Sequence, residues 1–335
     1  MAGRPTTTKG TIVQEYCRKY PNYSSHLLAK IIYKENKMHF PDAESARSLV
    51  RVRRGKSGSK RRTDTADKSL YDKGKRPLNP YALPKSEAKD FIPFILPKDR
   101  KKVLFLSDIH LPYHNSEAIT IALDYGKSKK IDTIWINGDM LDMYQASFHD
   151  KNPTEYGILY EFEQGIEFLK MLRKHFPKAQ IYYKEGNHET RWMRYLRKNA
   201  PIIFGHPEFE LPHLLKLNEI GIHWIPNMQL AYFNKLAVIH GNEMKGGGGV
   251  MVSRTMYLKS GESVIAGDKH KTNEYTKMTL GGSMIGTWSV GCMCELNPEY
   301  LPMGNDWNLG FAFIEMKENN EFVVHNKRIH KGKIY

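Results

Sequence analysis

Apolar runs alternate with polar turns along most of this chain, and the spacing within each run predicts an element. Runs with helical spacing occur at 116–127 and 156–175. Five short apolar runs of strand type each end abruptly in polar residues, at 103–106, 131–136, 181–183, 236–239 and 263–266. The order of these runs predicts β-α-β units, in which helices cross between parallel strands.

Side chains that suit metal ligation follow all five strand-like runs. They are Asp108 and His110, then Asp139 and Asp142, then Asn187, His188 and Glu189, then His240, and finally Asp268 and His270. Each pattern alone has an ordinary structural explanation, because Asp caps helices and Gly accepts positive φ. Five in succession, at the strand ends where open α/β folds bind ligands, favour one shared site.

The ordered set of motifs resembles the calcineurin-like metallophosphoesterases over residues 99–330. The motifs are Asp108-x-His110, Gly138-Asp139-x-x-Asp142, Gly186-Asn187-His188-Glu189, His240 and Gly267-x-x-His270. The resemblance implies an α/β fold with a two-sheet αββα sandwich, two divalent metal ions and hydrolysis of phosphate esters. Strand patterns at 284–294 and 309–316, with a hairpin turn at Asn319 and Asn320, are expected to form the second sheet.

The same resemblance implies a role for each motif residue. Asp108, His110, Asp139 and His270 would hold the first metal, while Asp139, Asn187 and His240 would hold the second. Asp139 is the expected bridge between the two ions. His188 would stabilise charge or protonate the leaving oxygen, and Asp142 and Glu189 would orient the ligands. A mixture of oxygen and imidazole donors favours manganese, with iron, zinc, nickel or magnesium as alternatives.

Three positions bear on specificity. Asp268 stands where the family usually has a histidine, so its carboxylate is a candidate ligand of the second metal; the alternative is that it only caps the turn. Met143 replaces the arginine with which related protein phosphatases grip phosphate, which disfavours a phosphoprotein substrate. Arg191 lies in a helix predicted at 190–199, whose start is expected to face bound phosphate, although a solvent-facing basic surface is the alternative.

The chain carries a formal net charge of +15, and much of it is concentrated near residues 51–62. Before this cluster, three helices are predicted at 11–19, from Ser24 or Ser25, and at 41–51. A basic third helix resembles a helix-turn-helix module, with nucleic acid, DNA above all, as the expected partner. The expected contacts are Arg47, Arg51, Arg53, Arg54 and Lys56. A protein-docking module with a solvated basic tail is the alternative.

The length and composition of the chain bear on its domain organisation. With 335 residues, 40% hydrophobic and 26% charged, the chain can bury a large core. We predict a helical module at 1–55, a basic flexible linker at 56–98 and the phosphoesterase domain at 99–335. The chain has three cysteines and lacks an apolar stretch of roughly eighteen residues. These features predict a cytoplasmic protein with no membrane partner.

Three functions follow from these patterns. The first is a two-metal phosphodiesterase that acts on nucleic acid. The second is a phosphomonoesterase, or a phosphodiesterase of small nucleotides, whose N-terminal module docks a partner protein. The third is a nucleic-acid-binding protein whose metal site has decayed, as the replacement at Asp268 would allow.

Overall fold

The protein is described by a computed structural model that divides it into two compact units, Met1–Ala88 and Lys89–Tyr335. The described residues are 7–21, 23–54, 81–88, 91–148, 152, 156–246, 249–298 and 303–335. The linker predicted at 56–98 therefore lies largely outside them. Within the described part of the chain, no helix has the length and apolar character needed to cross a bilayer.

The first unit contains the three helices that the sequence predicted. They are α1 (Thr8–Lys19), α2 (Ser25–Glu35) and α3 (Ala43–Arg53). The side chains of Thr7, Ser24 and Asp42 cap the three N-termini by accepting backbone N–H groups. A small buried core joins the helices, and it includes Val13, Leu28, Ile32, Ala46 and Val50.

The second unit is built on two mixed sheets. Its strands are β1 (Phe94–Ile95), β2 (Lys102–Leu106), β3 (Thr133–Ile136), β4 (Gln180–Lys184), β5 (Ile222–Ile225), β6 (Ala231–Phe233), β7 (Leu236–Val238), β8 (Val264–Ala266), β9 (Asn273–Met278), β10 (Met284–Ser289), β11 (Leu309–Met316), β12 (Phe322–His330) and β13 (Lys333–Ile334). The first sheet has the order β13-β12-β11-β2-β3-β4-β5, and the second has the order β1-β6-β7-β8-β10-β9. Strands β2 to β5 run parallel, as do β7, β8 and β10.

Helices cover the outer faces of both sheets. They are α4 (Ser116–Lys129), α5 (Ile158–His175), α6 (Glu189–Asn199), α7 (Leu211–Leu214), α8 (Leu217–Ile220) and α9 (Val252–Ser260). One core lies between the first sheet and helices such as α4 and α5, and a smaller one lies between the second sheet and α9. Between the sheets, Phe105, Trp135 and Tyr182 pack against Phe233 and Ile265. The αββα fold class predicted from the sequence is confirmed.

The prediction for the late strands is partly wrong. β10 joins the second sheet as expected, but it ends at Ser289. β11 pairs antiparallel with β2, so this strand and its hairpin partner β12 extend the first sheet. Spacing along a strand shows that it is extended but not which strand it pairs with. The hairpin turn itself forms where expected, with Asn319 and Asn320 both at positive φ.

Candidate metal centre

The motif residues converge from both sheets. Turns after β2, β3 and β4 of the first sheet carry Asp108 and His110, Asp139, and Asn187. Turns after β7 and β8 of the second sheet carry His240, Asp268 and His270. The site therefore lies where the carboxyl ends of these two sets of parallel strands meet.

The backbone at the site is held in an uncommon conformation. Asp108, His110, Asp139, Asp268 and His270 all have φ between +51° and +62°. Such left-handed residues cost energy when they are not glycine, and they cluster where the surrounding structure fixes a functional geometry. The turns also approach one another closely, since a Cβ added to Gly186 would lie only 2.2 Å from Oδ1 of Asp139.

Asp108, Asp139 and His240 form the centre of the cluster, with one ligand atom from each lying within 4.8 Å of the others. Nε2 of His240 lies 3.2 Å from Oδ2 of Asp139 and 3.1 Å from Oδ1 of Asn187. Its Nδ1 lies 2.6 Å from the carbonyl oxygen of Asn137, which can only accept. Nδ1 therefore carries the hydrogen, and Nε2 faces the carboxylates as a ligand nitrogen should.

His110 and His270 flank the same carboxylates. Nδ1 of His110 lies 2.8 Å from Oδ1 of Asp142, and Nε2 of His270 lies 3.4 Å from Oδ1 of Asp108. Nε2 of His110 is buried and has no hydrogen-bond partner among the described residues. An orphaned imidazole nitrogen beside buried carboxylates fits a divalent cation, which would satisfy it.

The electrostatics lead to the same conclusion. Burial alone would raise the pKa of Asp139, but the imidazoles of His188 and His240 outweigh it and hold that pKa well below its usual range. Burial would lower the pKa of His270, yet Asp108 raises it to about 10. The carboxylates are thus held in the ionised form that a metal needs, and a bound cation would compete with protons for the imidazole nitrogens.

Asp268 lies at the edge of the cluster. Its Oδ1 is 3.9 Å from Nε2 of His240, while its Oδ2 is 2.6 Å from Nζ of Lys269. Its backbone N–H donates to both carboxylate oxygens of Asp108, at 3.0 and 3.1 Å. One oxygen thus lies on the side of His240 and the other is paired with lysine, so the role of Asp268 as a ligand stays a prediction.

His188 stands beside the metal ligands at the N-terminus of α6. Its Nδ1 lies 2.7 Å from the carbonyl oxygen of Asp142, and its Nε2 lies 2.8 Å from Nη2 of Arg191. A carbonyl can only accept and a guanidinium can only donate, so these partners place the hydrogen on Nδ1. Arg191 also donates to the carbonyl of Asp142 at 3.0 Å. The predicted proton donor and phosphate-binding arginine are therefore neighbours.

Glu189 connects the turn after β3 to the turn after β4. Its fully buried carboxylate accepts the backbone N–H groups of Asp139, Met140, Leu141 and Gly186 at 2.8 to 3.2 Å, together with the hydroxyl of Tyr183 at 2.6 Å. These bonds tie together the backbone of the two turns that carry Asp139 and Asn187, and the role of Glu189 in orienting metal ligands stays a prediction.

Sequence reasoning missed several buried groups near the site. Cys294, which belongs to none of the sequence motifs, places Sγ 4.0 Å from Nδ1 of His270, and all three cysteines are free thiols. Glu161 of α5 accepts the backbone N–H groups of Met143 and Tyr144, at 2.6 and 3.2 Å. Lys184 is fully buried on β4. A lysine directly after the apolar run 181–183 was the available signal for Lys184.

The predicted nucleic-acid contacts fall on α3, where several arginines already have partners within the first unit. Arg47 pairs with Glu44 at 3.1 Å, and Arg53 donates to the side chain of Gln14. Arg54 donates to the backbone carbonyls at positions 20 and 23. Arg51 is exposed, and Lys56 lies outside the described residues. Arg53 and Arg54 thus help to hold the helices together.

Two sheets flanked by helices, with buried Asp and His ligands at their shared edge, define a metallophosphoesterase. The family model for calcineurin-like phosphoesterases matches residues 101–272, a range that contains every metal-binding motif. The chain belongs to this family and is a metal-dependent phosphoester hydrolase.

Solved structures with similarity to the chain have low sequence identity. Vacuolar protein sorting 29 from Cryptosporidium parvum is 15% identical, with 70% of this chain and 95% of that chain covered and a TM-score of 0.39. The phosphoesterase Yfce from E. coli is 14% identical, with 65% and 89% covered and a TM-score of 0.30. Vps29 from Chaetomium thermophilum is 12% identical, with 68% and 95% covered and a TM-score of 0.32. A search of curated proteins finds no match.

Proposed function

We propose that this protein hydrolyses phosphodiester bonds of nucleic acid at a two-metal centre. The observation that carries the proposal is the buried cluster of Asp108, Asp139 and His240 ligand atoms, all within 4.8 Å of one another and adjoining His188. Carboxylates this close need compensating charge, and an imidazole beside them offers a proton for a leaving oxygen.

The residues suited to hold the two ions are those of the predicted sets. Asp108, His110 and His270 would hold the first, Asn187 and His240 the second, with Asp139 between them and Asp268 as a further candidate. Divalent ions in such a site neutralise phosphate charge and lower the pKa of bound water. The mixed oxygen and imidazole donors support manganese, with iron, zinc, nickel and magnesium as alternatives.

His188 and Arg191 would act together on the substrate. Arg191 donates to Nε2 of His188 at 2.8 Å, so Nε2 cannot hold a proton while this contact lasts. A phosphate oxygen would draw the guanidinium away, because a charge-assisted bond to phosphate is stronger than one to a neutral imidazole. Burial lowers the pKa of His188, but Asp139 and Asp142 raise it above its usual value. The freed Nε2 would then take up a proton from solvent and give it to the leaving oxygen as the phosphorus–oxygen ester bond breaks.

Nucleic acid is the proposed substrate because of the N-terminal unit and the charge. Three short helices with an exposed Arg51 on the last, in a chain of net charge +15, suit contact with a phosphate backbone. Met143 in place of a phosphate-gripping arginine argues against a phosphoprotein. DNA is favoured over RNA by the resemblance of the helices to a helix-turn-helix module.

The partners of Arg53 and Arg54 favour the second candidate, a phosphomonoesterase or small-nucleotide phosphodiesterase with a protein-docking module. Three of the five proposed contacts, Arg47, Arg53 and Arg54, already donate within the first unit. Fewer free cations would then remain for phosphates, which weakens the case for a dedicated nucleic-acid surface.

The two candidates are separated by substrate. Manganese-dependent cleavage of single- and double-stranded DNA and RNA is measured beside a chromogenic monoester and a chromogenic diester, with Asp139→Asn as the inactive control. Cleavage of nucleic acid with little monoester activity supports the proposal, whereas the reverse supports the second candidate. Removal of residues 1–55 should then weaken nucleic-acid binding and reduce its salt dependence while diester hydrolysis persists.

A further inference from the structure

Lys184 is a buried charge at the point where the two sheets meet. Neighbouring side chains on β4 alternate between the faces of the first sheet, since Tyr182 packs in the core between the sheets and Tyr183 in the core under the helices. Lys184 therefore shares the face of Tyr182 and points towards the second sheet. The side chain has no exposed surface.

The partner of Lys184 comes from the second sheet. Nζ of Lys184 lies 3.0 Å from Oε1 of Glu243, which follows β7, and 3.0 Å from the carbonyl oxygen of Gln229, which precedes β6. The Glu243 side chain is only 14% exposed, so both charges of this pair are largely removed from water. A buried pair of this kind persists only when other hydrogen bonds satisfy its remaining atoms.

The carboxylate oxygens of Glu243 also accept hydrogen bonds from the backbone of the turn that carries His240. Its Oε1 accepts the backbone N–H of His240 at 3.1 Å, and its Oε2 accepts that of Gly241 at 2.7 Å. Lys184 itself stands three residues before Asn187, another ligand proposed for the second metal. The ion pair thus joins the two turns, one from each sheet, that carry these two ligands.

We propose that the Lys184–Glu243 pair positions His240 for binding of the second metal. The inference rests on the proposed two-metal centre and adds to it two positioning residues. Because His240 and Asn187 come from different sheets, a small slip of one sheet past the other would separate them. The pair resists that slip, and the two N–H bonds set the direction of the His240 turn.

The test is calorimetric titration of Mn²⁺ into the metal-free, full-length protein. Wild type is expected to bind two ions. Lys184→Met should weaken one of the two events by about tenfold to a hundredfold, the range typical for residues that support metal ligands, and leave the other unchanged. Glu243→Gln, which keeps one acceptor oxygen, should weaken the same event by a smaller factor.

The double variant Lys184→Met with Glu243→Met distinguishes positioning from mere stability. Two apolar side chains remove both buried charges and should recover part of the melting temperature lost in Lys184→Met. They leave the N–H groups of His240 and Gly241 without an acceptor, so the weakened Mn²⁺ event should remain weak. Recovery of affinity along with the melting temperature would overturn the proposal.

Two controls complete the design. The exposed pair Lys235 and Glu321, at 2.9 Å, receives the same double substitution to methionine and should change neither quantity. Ile314→Ala, in the core between the sheets, should lower the melting temperature without altering Mn²⁺ affinity. If wild type binds no Mn²⁺, the proposed function fails; if all variants bind two ions as wild type does, only this inference fails.

Discussion

Replacing Glu189 with glutamine should destabilise the second unit strongly, although the two side chains have nearly the same shape. Oε2 of Glu189 accepts from the backbone N–H groups of Asp139 and Gly186, while Oε1 accepts from those of Met140 and Leu141 and from Tyr183. An amide group must replace one oxygen. In the better of the two orientations, it takes the place of Oε2 and leaves two buried N–H groups facing another donor.

The magnitude follows from those two lost bonds. Hydrogen bonds to a charged acceptor contribute about 1.5–3 kcal/mol each, so their loss should lower the free energy of unfolding by about 3–6 kcal/mol. Domains of ordinary stability have only about 5–15 kcal/mol in total. The variant should also bind metal more weakly, because Asp139 and Gly186 belong to the turns that carry the ligands.

Urea unfolding followed by tryptophan fluorescence measures this loss directly. All five tryptophans lie between positions 135 and 307, so the signal reports on the second unit. Glu163→Gln on the exposed face of α5 is the matched control, and it should change the free energy by no more than about 0.5 kcal/mol. A loss in Glu189→Gln no larger than in this control would refute the reasoning.

The remaining predictions concern single side chains. Asp139→Asn and His188→Ala should both abolish turnover, but metal content should fall only in the former; equal metal loss would contradict the role of His188 as proton donor. Burial and the nearby Asp142 raise the pKa of Glu161 to about 8 from an ordinary 4.5. Between these two pH values, Glu161 is protonated in the folded state and ionised in the unfolded state. The free energy of unfolding should therefore fall as pH rises through this window. In Glu161→Gln, the melting temperature should depend less on pH than in wild type. An equally steep dependence on pH would exclude Glu161 as the cause of the loss of stability. Asp268→Ala should weaken binding of one metal and Asp268→His should restore it with a preference for zinc or nickel; if titrations show that Ala and Asn variants keep wild-type affinity, Asp268 only caps its turn.

Most of the local structure could be predicted, and the candidate site residues could be proposed, from short stretches of sequence. The strand before Asp108 and the helix after His188 depend on periodicity and on turn residues within a few positions. The same pattern places candidate ligands at the ends of strands, and it does not depend on which strands pair with one another. Caps such as Asp42 follow the same logic, because the capping bond reaches only three residues along the chain.

Long-range pairing was not predictable in this way. The sequence does not show that His240 reaches Asn187 from the opposite sheet, or that β11 extends the first sheet. The same limit applies to Arg53 and Arg54, whose basic character indicates a nucleic-acid surface until their partners in the first unit are known. The sequence shows where charged residues occur, but the tertiary packing determines which atoms they hydrogen-bond to.

Glu189 and Lys184 show why the sequence indicates some residues near the site and not others. Glu189 lies inside a motif, so its role follows from residues beside it in the chain. Lys184 ends an ordinary apolar run, and its importance depends on Glu243, which lies 59 positions later and on the other sheet. Local sequence determines each turn through bonds that span a few residues, but the candidate metal centre exists only because the two sheets pack with their ligand turns together.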